Sequence, residues 1–339
     1  MDNRILIYGA TGYMGKLFAK ELLKQGLQPI LAARSTKVQA LDQQLNCPSV
    51  IFNLDNPADI VSNLQGITLV VNLAGPFAKT QGPLIQACLQ TGCHYIDIAG
   101  EVDEMVSAFA FDDAAKQAGI MLMPGAGFGV VPTDIVASLA KQQLPDASTL
   151  KILYATEGEV SRGTLKTVLS GINQPGVRRA GGELVTAYPA ESKMTFEVAG
   201  RSLTAVYNPW RADLFTAGLS TGIDNIQTYS VFPGFVVQMM KGKRLWLRDL
   251  LVNRLLNFLP EGPTEKQLAQ GNTYVMAIAS NSFTDARIAL KGPEAYLFTA
   301  LCLREVSNRI LSGPVEAGFQ TPAYFGKVLL DHMDGIQWD

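Results

Sequence analysis

The sequence predicts an α/β protein: a doubly wound parallel sheet followed by a second α+β domain whose sheet is largely antiparallel. Three observations carry that prediction. Strand-like and helix-like segments alternate over the first 125 residues with short connections. Those strands are near-continuous apolar runs, as strands covered on both faces must be. A glycine-rich turn joins the first strand to the first helix.

The elements follow in order. Ile5–Tyr8 is an apolar run ending in glycine. Tyr13–Lys24 places Met14, Leu17, Phe18, Leu22 and Leu23 at helical spacing. Pro29–Ala33 is a second strand, Lys37–Leu45 a second helix and Val50–Asn53 a third strand. Asn56–Leu64 is a helix capped by Asn56 with Pro57 at its first position. Thr68–Leu73 is a fourth strand, Pro83–Thr91 a helix, Tyr95–Ile98 a fifth strand, Glu101–Gln117 mostly helical and Ile120–Met123 a sixth strand. Beyond about residue 145 the pattern changes. Leu150–Thr156, Glu183–Tyr188, Lys193–Val198 and Thr204–Tyr207 read as strands with Gly-rich turns. Thr273–Ser280 and Arg287–Lys291 flank a hairpin turn, and Glu294–Leu311 and Thr321–Met333 read as helices. The expected organisation is a nucleotide-binding domain over 1–130, an α+β substrate or dimerisation domain over 131–300, and C-terminal helices over 301–339 returning to the first domain.

Composition narrows the function. Of 339 residues, 47% are hydrophobic and 17% charged, which excludes a disordered chain. Lys+Arg is 28 and Asp+Glu 30, a net charge of −2, so a general nucleic-acid binder with its basic footprint is excluded. The four cysteines form no CxxC pair and there are two histidines, so no metal site is expected. No charged and apolar leader opens the chain, and a cytoplasmic protein is the expectation. The high apolar share favours a homodimer. Residues 235–259 interleave Lys241, Lys243, Arg244, Arg248 and Arg254 with apolar residues. Such a stretch serves as a lid, a dimer arm, or a weak contact with a membrane surface.

The chemistry starts at Gly9-Ala10-Thr11-Gly12-Tyr13-Met14-Gly15. A phosphate approaches backbone only where no Cβ obstructs it, and the helix N-terminus behind the turn offers N–H groups and positive dipole. The turn in this context marks a Rossmann dinucleotide site. The second strand ends Ala32-Ala33-Arg34-Ser35-Thr36, with no acid for a ribose 2′-OH. Arg34 and Ser35 instead suit a 2′-phosphate, so the cofactor expected is NADP(H). Asn72, Ala74, Gly75, Pro76 and Phe77 end the fourth strand, where small residues let the nicotinamide ribose pass and Phe77 walls the ring. Gly125, Gly127 and Phe128 lie in a glycine-rich turn after the sixth strand, suited to close approach of a ring or to a hinge.

A reductase also needs a proton donor. No Tyr-x-x-x-Lys pair occurs, which argues against the short-chain dehydrogenase mechanism. The candidates at the fifth strand's end are Asp97, Glu101 and Tyr95. Two have a bland alternative: Asp97 binding turn amides, Glu101 complementing a helix dipole. His94 reads as structural, and Asp134 as a helix-start charge.

Gly9–Gly15, Asn72–Phe77 with Gly82-Pro83, His94–Glu101, Gly125–Asp134 and the Thr-Pro turn in Gly318–Ala323 together resemble the saccharopine dehydrogenase-like oxidoreductases. That family includes the trans-acting enoyl reductases serving polyketide synthases. The resemblance implies an NADP-binding Rossmann domain and an inserted α+β domain. It supplies neither a catalytic residue nor saccharopine as substrate, which would need converging basic groups. Arg162, Arg178, Arg179, Arg201 and Arg211 are present for that purpose. The expected activity is NADP(H)-dependent reduction of a C=C (enoyl) or C=O/C=N group of a small molecule, in a cleft between the domains. The alternative is a non-catalytic NADP-binding regulatory or scaffold protein.

Overall fold

A computed structural model describes residues 4–157, 174–242 and 262–339. The chain divides into two units. The first comprises Met1–Val131 and Leu297–Phe325, the second Pro132–Tyr296 and Gly326–Asp339.

In the first unit, β1 (Ile5–Tyr8), α1 (Tyr13–Lys24), β2 (Ile30–Ala33), α2 (Lys37–Leu45), β3 (Ser49–Ile51), α3 (Pro57–Asn63), β4 (Leu69–Asn72), α4 (Phe77–Thr91), β5 (His94–Asp97), α5 (Val102–Phe109), α6 (Asp112–Ala118) and β6 (Met121–Met123) alternate as expected. The order across the sheet is β3-β2-β1-β4-β5-β6, with every pair parallel. This is the doubly wound Rossmann order, which reverses between β1 and β4. Strands β1, β2 and β4 are buried throughout. In register, Tyr8, Asn72 and Asp97 stand side by side at the carboxyl ends of three adjacent strands.

Two expected helices differ. The fourth starts at Phe77, not Pro83, and carries Pro83 inside it. A proline reads as a first-turn residue, but here Thr80 anchors the earlier turn: its hydroxyl donates to the Ala74 carbonyl (2.7 Å) and accepts from Asn72 Nδ2 (3.0 Å). The expected 101–117 helix is two, α5 and α6. The break lets Asp112 Oδ1, at the start of α6, accept the Phe319 N–H at 2.8 Å.

His94 opens β5 and its Nδ1 accepts the Met121 N–H at 2.9 Å, which only an unprotonated Nδ1 can do. Burial holds its pKa below the usual histidine value. A depressed folded-state pKa stabilises above the unfolded value of about 6.5, and that stabilisation is lost as pH falls through the folded value. The melting temperature of His94→Gln is therefore expected to lack an acid-side fall below about pH 6.5 that the unaltered protein shows. Identical pH–Tm curves would count against this coupling.

The second unit contains α7 (Val131–Gln143), which starts at the boundary, then β7 (Thr149–Glu157), β8 (Gly176–Ala180), β9 (Glu183–Ala187), β10 (Lys193–Val198), β11 (Arg201–Tyr207), α8 (Asp213–Thr221), β12 (Asn225–Ser230), α9 (Gly234–Met240), α10 (Glu265–Gln270), β13 (Asn272–Ser280) and β14 (Asp285–Pro293). The chain returns to the first unit through α11 (Ala295–Leu311) and β15 (Gly318–Phe319). It ends with α12 (Val328–Asp331) and β16 (Gln337–Trp338). The second sheet runs β10-β11-β12-β7-β13-β14-β16, antiparallel except for the β12–β7 pair. Leu153, Phe196, Tyr207, Tyr229, Tyr274 and Met276 form its core.

The last segment departs from expectation. Thr321–Met333 is a 3-10 turn (Pro322–Phe325) and the short α12, separated by Gly326 at φ +67°. Residues 326–339 belong to the second unit, because β16 pairs with β14 through Trp338 and Gln337. Within the first unit, α11 is tied to α1 by Arg304, which lies 3.5 Å from the buried Glu21, itself paired with Lys24. Of the basic stretch 235–259, the first turns are α9, whose Val236, Met239 and Met240 pack with Ala190 and Val206. Residues 243–259 lie outside the described residues. Among the described residues no helix is long and apolar enough to cross a membrane.

Candidate nucleotide site

Gly9 leaves β1 at φ +90°, and a Cβ there would fall 2.7 Å from the Ala74 nitrogen. The turn after β1 and the turn after β4 thus touch at the point where strand order reverses, the usual ligand crevice of such sheets. Gly15, in the first turn of α1, is as tight: a Cβ would lie 2.6 Å from Ala10 Cα and from the Gly9 carbonyl oxygen. Gly12 differs. It is exposed, and the single neighbour of its Cβ position is the Gly9 oxygen at 3.4 Å. It is also the N-cap of α1, and no side chain caps the helix. Thr11, Tyr13 and Met14 are half-buried around it. A cradle closed to side chains behind and open in front, under an uncapped 12-residue helix, fits a dinucleotide diphosphate.

Arg34 and Ser35 are exposed beyond the end of β2. Among the described residues Arg34 has no ion-pair partner. Its charge reaches the Tyr8 phenol, which burial and Asp55 push above its ordinary pKa and Arg34 pulls back. An unpaired guanidinium at this strand end suits a 2′-phosphate.

The β4 and β5 ends form one buried network. Asn72 is fully buried. Its Oδ1 accepts the Ala74 N–H (3.1 Å) and its Nδ2 donates to Thr80 and to the Tyr95 hydroxyl (2.9 Å). Asp97, also fully buried, accepts from Tyr95 OH (2.8 Å) and Gln81 Nε2 (2.9 Å) on Oδ2. Its Oδ1 accepts from the amides of Ala99 (2.9 Å) and Gly125 (3.0 Å). Burial raises its pKa against those four bonds, and burial followed by the Asp97 charge raises Tyr95 well above its ordinary value. Tyr95 and Asp97 therefore have no exposed atom from which to meet a substrate, and they fix the loops that follow β4, β5 and β6. Ala74 on the first of those loops and Phe77 at the start of α4 are half-buried, and Gly75 and Pro76 between them are exposed.

Glu101 is exposed at the N-cap of α5, and partial desolvation of its carboxyl, then the charge of Asp103, raises its pKa. Sequence reasoning missed Thr80 and Gln81, and also Glu104, whose Oε2 accepts the N–H groups of Gly100 (3.1 Å) and Glu101 (3.2 Å). Gly127 and Phe128 are buried. Phe128 stacks on Phe298 of α11 at 5.2 Å, so its ring packs inside the unit and does not wall a ligand. Among the described residues, three of the candidate arginines are each paired with a separate acid. Arg201 pairs with Glu157, Arg211 with Asp213 and Arg178 with Glu191, while Arg162 lies outside the described residues. Among the described residues no three His, Cys, Asp or Glu side chains group as metal ligands.

Fold and cradle together define a Rossmann dinucleotide-binding domain. Residues 5–123 match the family model of the saccharopine dehydrogenase NADP binding domain, so the nucleotide of this domain is NADP. The whole chain is similar to the saccharopine dehydrogenase-like oxidoreductase of Rattus norvegicus: 22% identical, over 99% of this chain and 96% of that protein. A putative trans-acting enoyl reductase of Mycobacterium tuberculosis is 30% identical over 194 residues, 52% of this chain and 46% of that one. Among solved structures, apo saccharopine dehydrogenase (L-Glu forming) from Saccharomyces cerevisiae superimposes with a TM-score of 0.71 at 10% identity, over 99% of both chains. The first unit thus matches the saccharopine dehydrogenase NADP binding domain model, and the whole chain is similar in sequence to saccharopine dehydrogenase-like oxidoreductases and in fold to saccharopine dehydrogenase.

Proposed function

We propose that the protein is an NADP(H)-dependent oxidoreductase that reduces a C=C (enoyl) or C=O/C=N group of a small-molecule substrate. The observation that carries this reading is the open cradle of Gly9–Gly15 under the uncapped end of α1, with unpaired Arg34 at the end of β2. The mycobacterial enoyl reductase relatives favour a C=C acceptor. NADPH, when bound, supplies the hydride. The backbone of residues 9–15 holds the diphosphate. Arg34 and Ser35 hold the 2′-phosphate. Asn72 and Asp97 keep the loops after β4 to β6 in place, and Ala74–Phe77 would flank the nicotinamide. Tyr95 and Asp97 position rather than react. Glu101, the exposed carboxyl, gives the proton to the substrate atom that does not receive the hydride.

The test is nucleotide titration of the unaltered protein and Arg34→Ala, followed by nicotinamide fluorescence. A charged hydrogen bond contributes about 2 kcal/mol, so NADPH affinity is expected to fall about 30-fold while NADH affinity barely changes. An equal fall in both overturns the role of Arg34. Tight NADPH binding with no oxidation by any enoyl, carbonyl or imine acceptor would instead favour a regulatory or scaffold protein.

A further inference from the structure

The second sheet ends on one side at β10, whose one strand partner among the described residues is β11. A tight turn joins them, with Ala199 at φ +48° and Gly200 at φ +71°, so Val198 and Arg201 form a hydrogen-bonded pair. That pair fixes the alternation along β10. Met194, Phe196 and Val198 aim their backbone groups at β11 and their side chains at the core. Lys193, Thr195 and Glu197 aim their backbone N–H and C=O groups outward along the free edge, and their side chains are exposed. None of those three N–H groups has an acceptor among the described residues. The row closes at Ala199, whose N–H donates to Asp339 Oδ2 at 2.5 Å. Met194 and Leu203 pack against the core yet stay half-buried, so the apolar layer also stops short at this edge. Proteins commonly blunt such an edge with proline, a bulge or charge. β10 has no proline, and it carries one charge of each sign, Lys193 and Glu197, placed symmetrically about Thr195.

We propose that a second copy of this chain docks on β10, in an antiparallel β10–β10 pair about a two-fold axis at Thr195 that continues the sheet through both protomers. The charges select this register. An axis at Thr195 sets Lys193 opposite the partner's Glu197, and Glu197 opposite the partner's Lys193, whereas an axis at Lys193 or at Glu197 opposes like charges. The same axis satisfies the whole row: the outward N–H of Lys193, Thr195 and Glu197 each donates to an outward C=O of the other strand. On the core side Met194 comes beside the partner's Phe196, and the apolar layer runs on across the axis. A contact that uses the same patch on both copies closes as a dimer. It is one strand wide, at the small end of specific interfaces, so a dissociation constant on the order of 10 μM is expected.

The experiment is sedimentation velocity of the full chain from about 1 to 200 μM, spanning the expected dissociation constant, in the unaltered protein, Lys193→Glu, Glu197→Lys and the double variant carrying both. Each single reversal opposes like charges at both ends of the pair, and the dissociation constant is expected to rise about tenfold or more. The double variant restores opposite charges, and its dissociation constant is expected to return to within about threefold of the unaltered value. Thr195→Pro removes an outward donor and leaves the bonds to β11 in place, so it is expected to stay folded and monomeric. Hydrogen exchange reads the edge directly in the unaltered protein, whatever the variants do to folding. The amides of Lys193, Thr195 and Glu197 are expected to be protected at high concentration and to lose that protection on dilution. A protein that is monomeric throughout overturns the proposal and leaves the edge to a strand of another protein. A dimer indifferent to both single reversals, or one in which the three amides stay unprotected, also overturns it and puts the contact on another surface.

Discussion

Asp97→Ala is expected to destabilise the first unit by about 4 kcal/mol, among the largest effects any single substitution produces. The variant strands four donors that Asp97 now satisfies: Gln81 Nε2, Tyr95 OH and the amides of Ala99 and Gly125. A buried donor left without its acceptor costs about 1–3 kcal/mol, and those costs are only partly additive. Asp97→Asn should cost less, since one oxygen stays available to the two amides. Hydrogen exchange of the β4 and β5 amides measures both. A loss below about 1 kcal/mol for Asp97→Ala would mean that water replaces the carboxylate and that the residue does not hold the loops.

The second large effect separates the two uses of glycine in the nucleotide turn. In Gly15→Ala the new methyl meets backbone at 2.6 Å on the protein side, so α1 must move away from the strand. Such overpacking costs about 2 kcal/mol and displaces the helix end that receives phosphate. Stability and NADPH affinity should fall together, affinity by about 30-fold if that strain is relieved in the free protein. In Gly12→Ala the protein side is open and its nearest atom stands at 3.4 Å. Its melting temperature should hold while NADPH affinity drops, because there the methyl occupies the ligand's space. A Gly12→Ala protein that binds NADPH normally would place the diphosphate elsewhere.

Most of the first unit was legible because its signals are local. Most strands are short, largely apolar runs, and the glycine turn sits at one fixed place in the order. What escaped was long-range. Reading α4 from Pro83 left 77–82 as loop, so Thr80 and Gln81 had no helical face on which to meet Asn72 and Asp97. Phe128 sat in a glycine-rich turn that suits a ligand, but its partner Phe298 is 170 residues away in sequence. In the second unit, β8 and β12 went unread. β8 carries Arg178 and Arg179, and β12 (Asn-Ile-Gln-Thr-Tyr-Ser) is largely polar. Burial of its Thr228 and Ser230 is a tertiary fact that the sequence pattern does not state.

The first unit is not one continuous stretch of chain, and this has a consequence during biosynthesis. β6, whose Met121, Leu122 and Met123 are all fully buried, gains its outer neighbour β15 only when Gly318 and Phe319 arrive. At translation rates of about 5–20 residues per second, that edge waits roughly 10–40 s after it leaves the ribosome. For that time a short, apolar, unpaired strand edge is offered to any other nascent chain. The nucleotide domain is thus complete only after nearly the whole of the second unit has been made. A fragment ending near residue 131 would keep every glycine of the nucleotide turn, yet expose the edge that the native chain covers last.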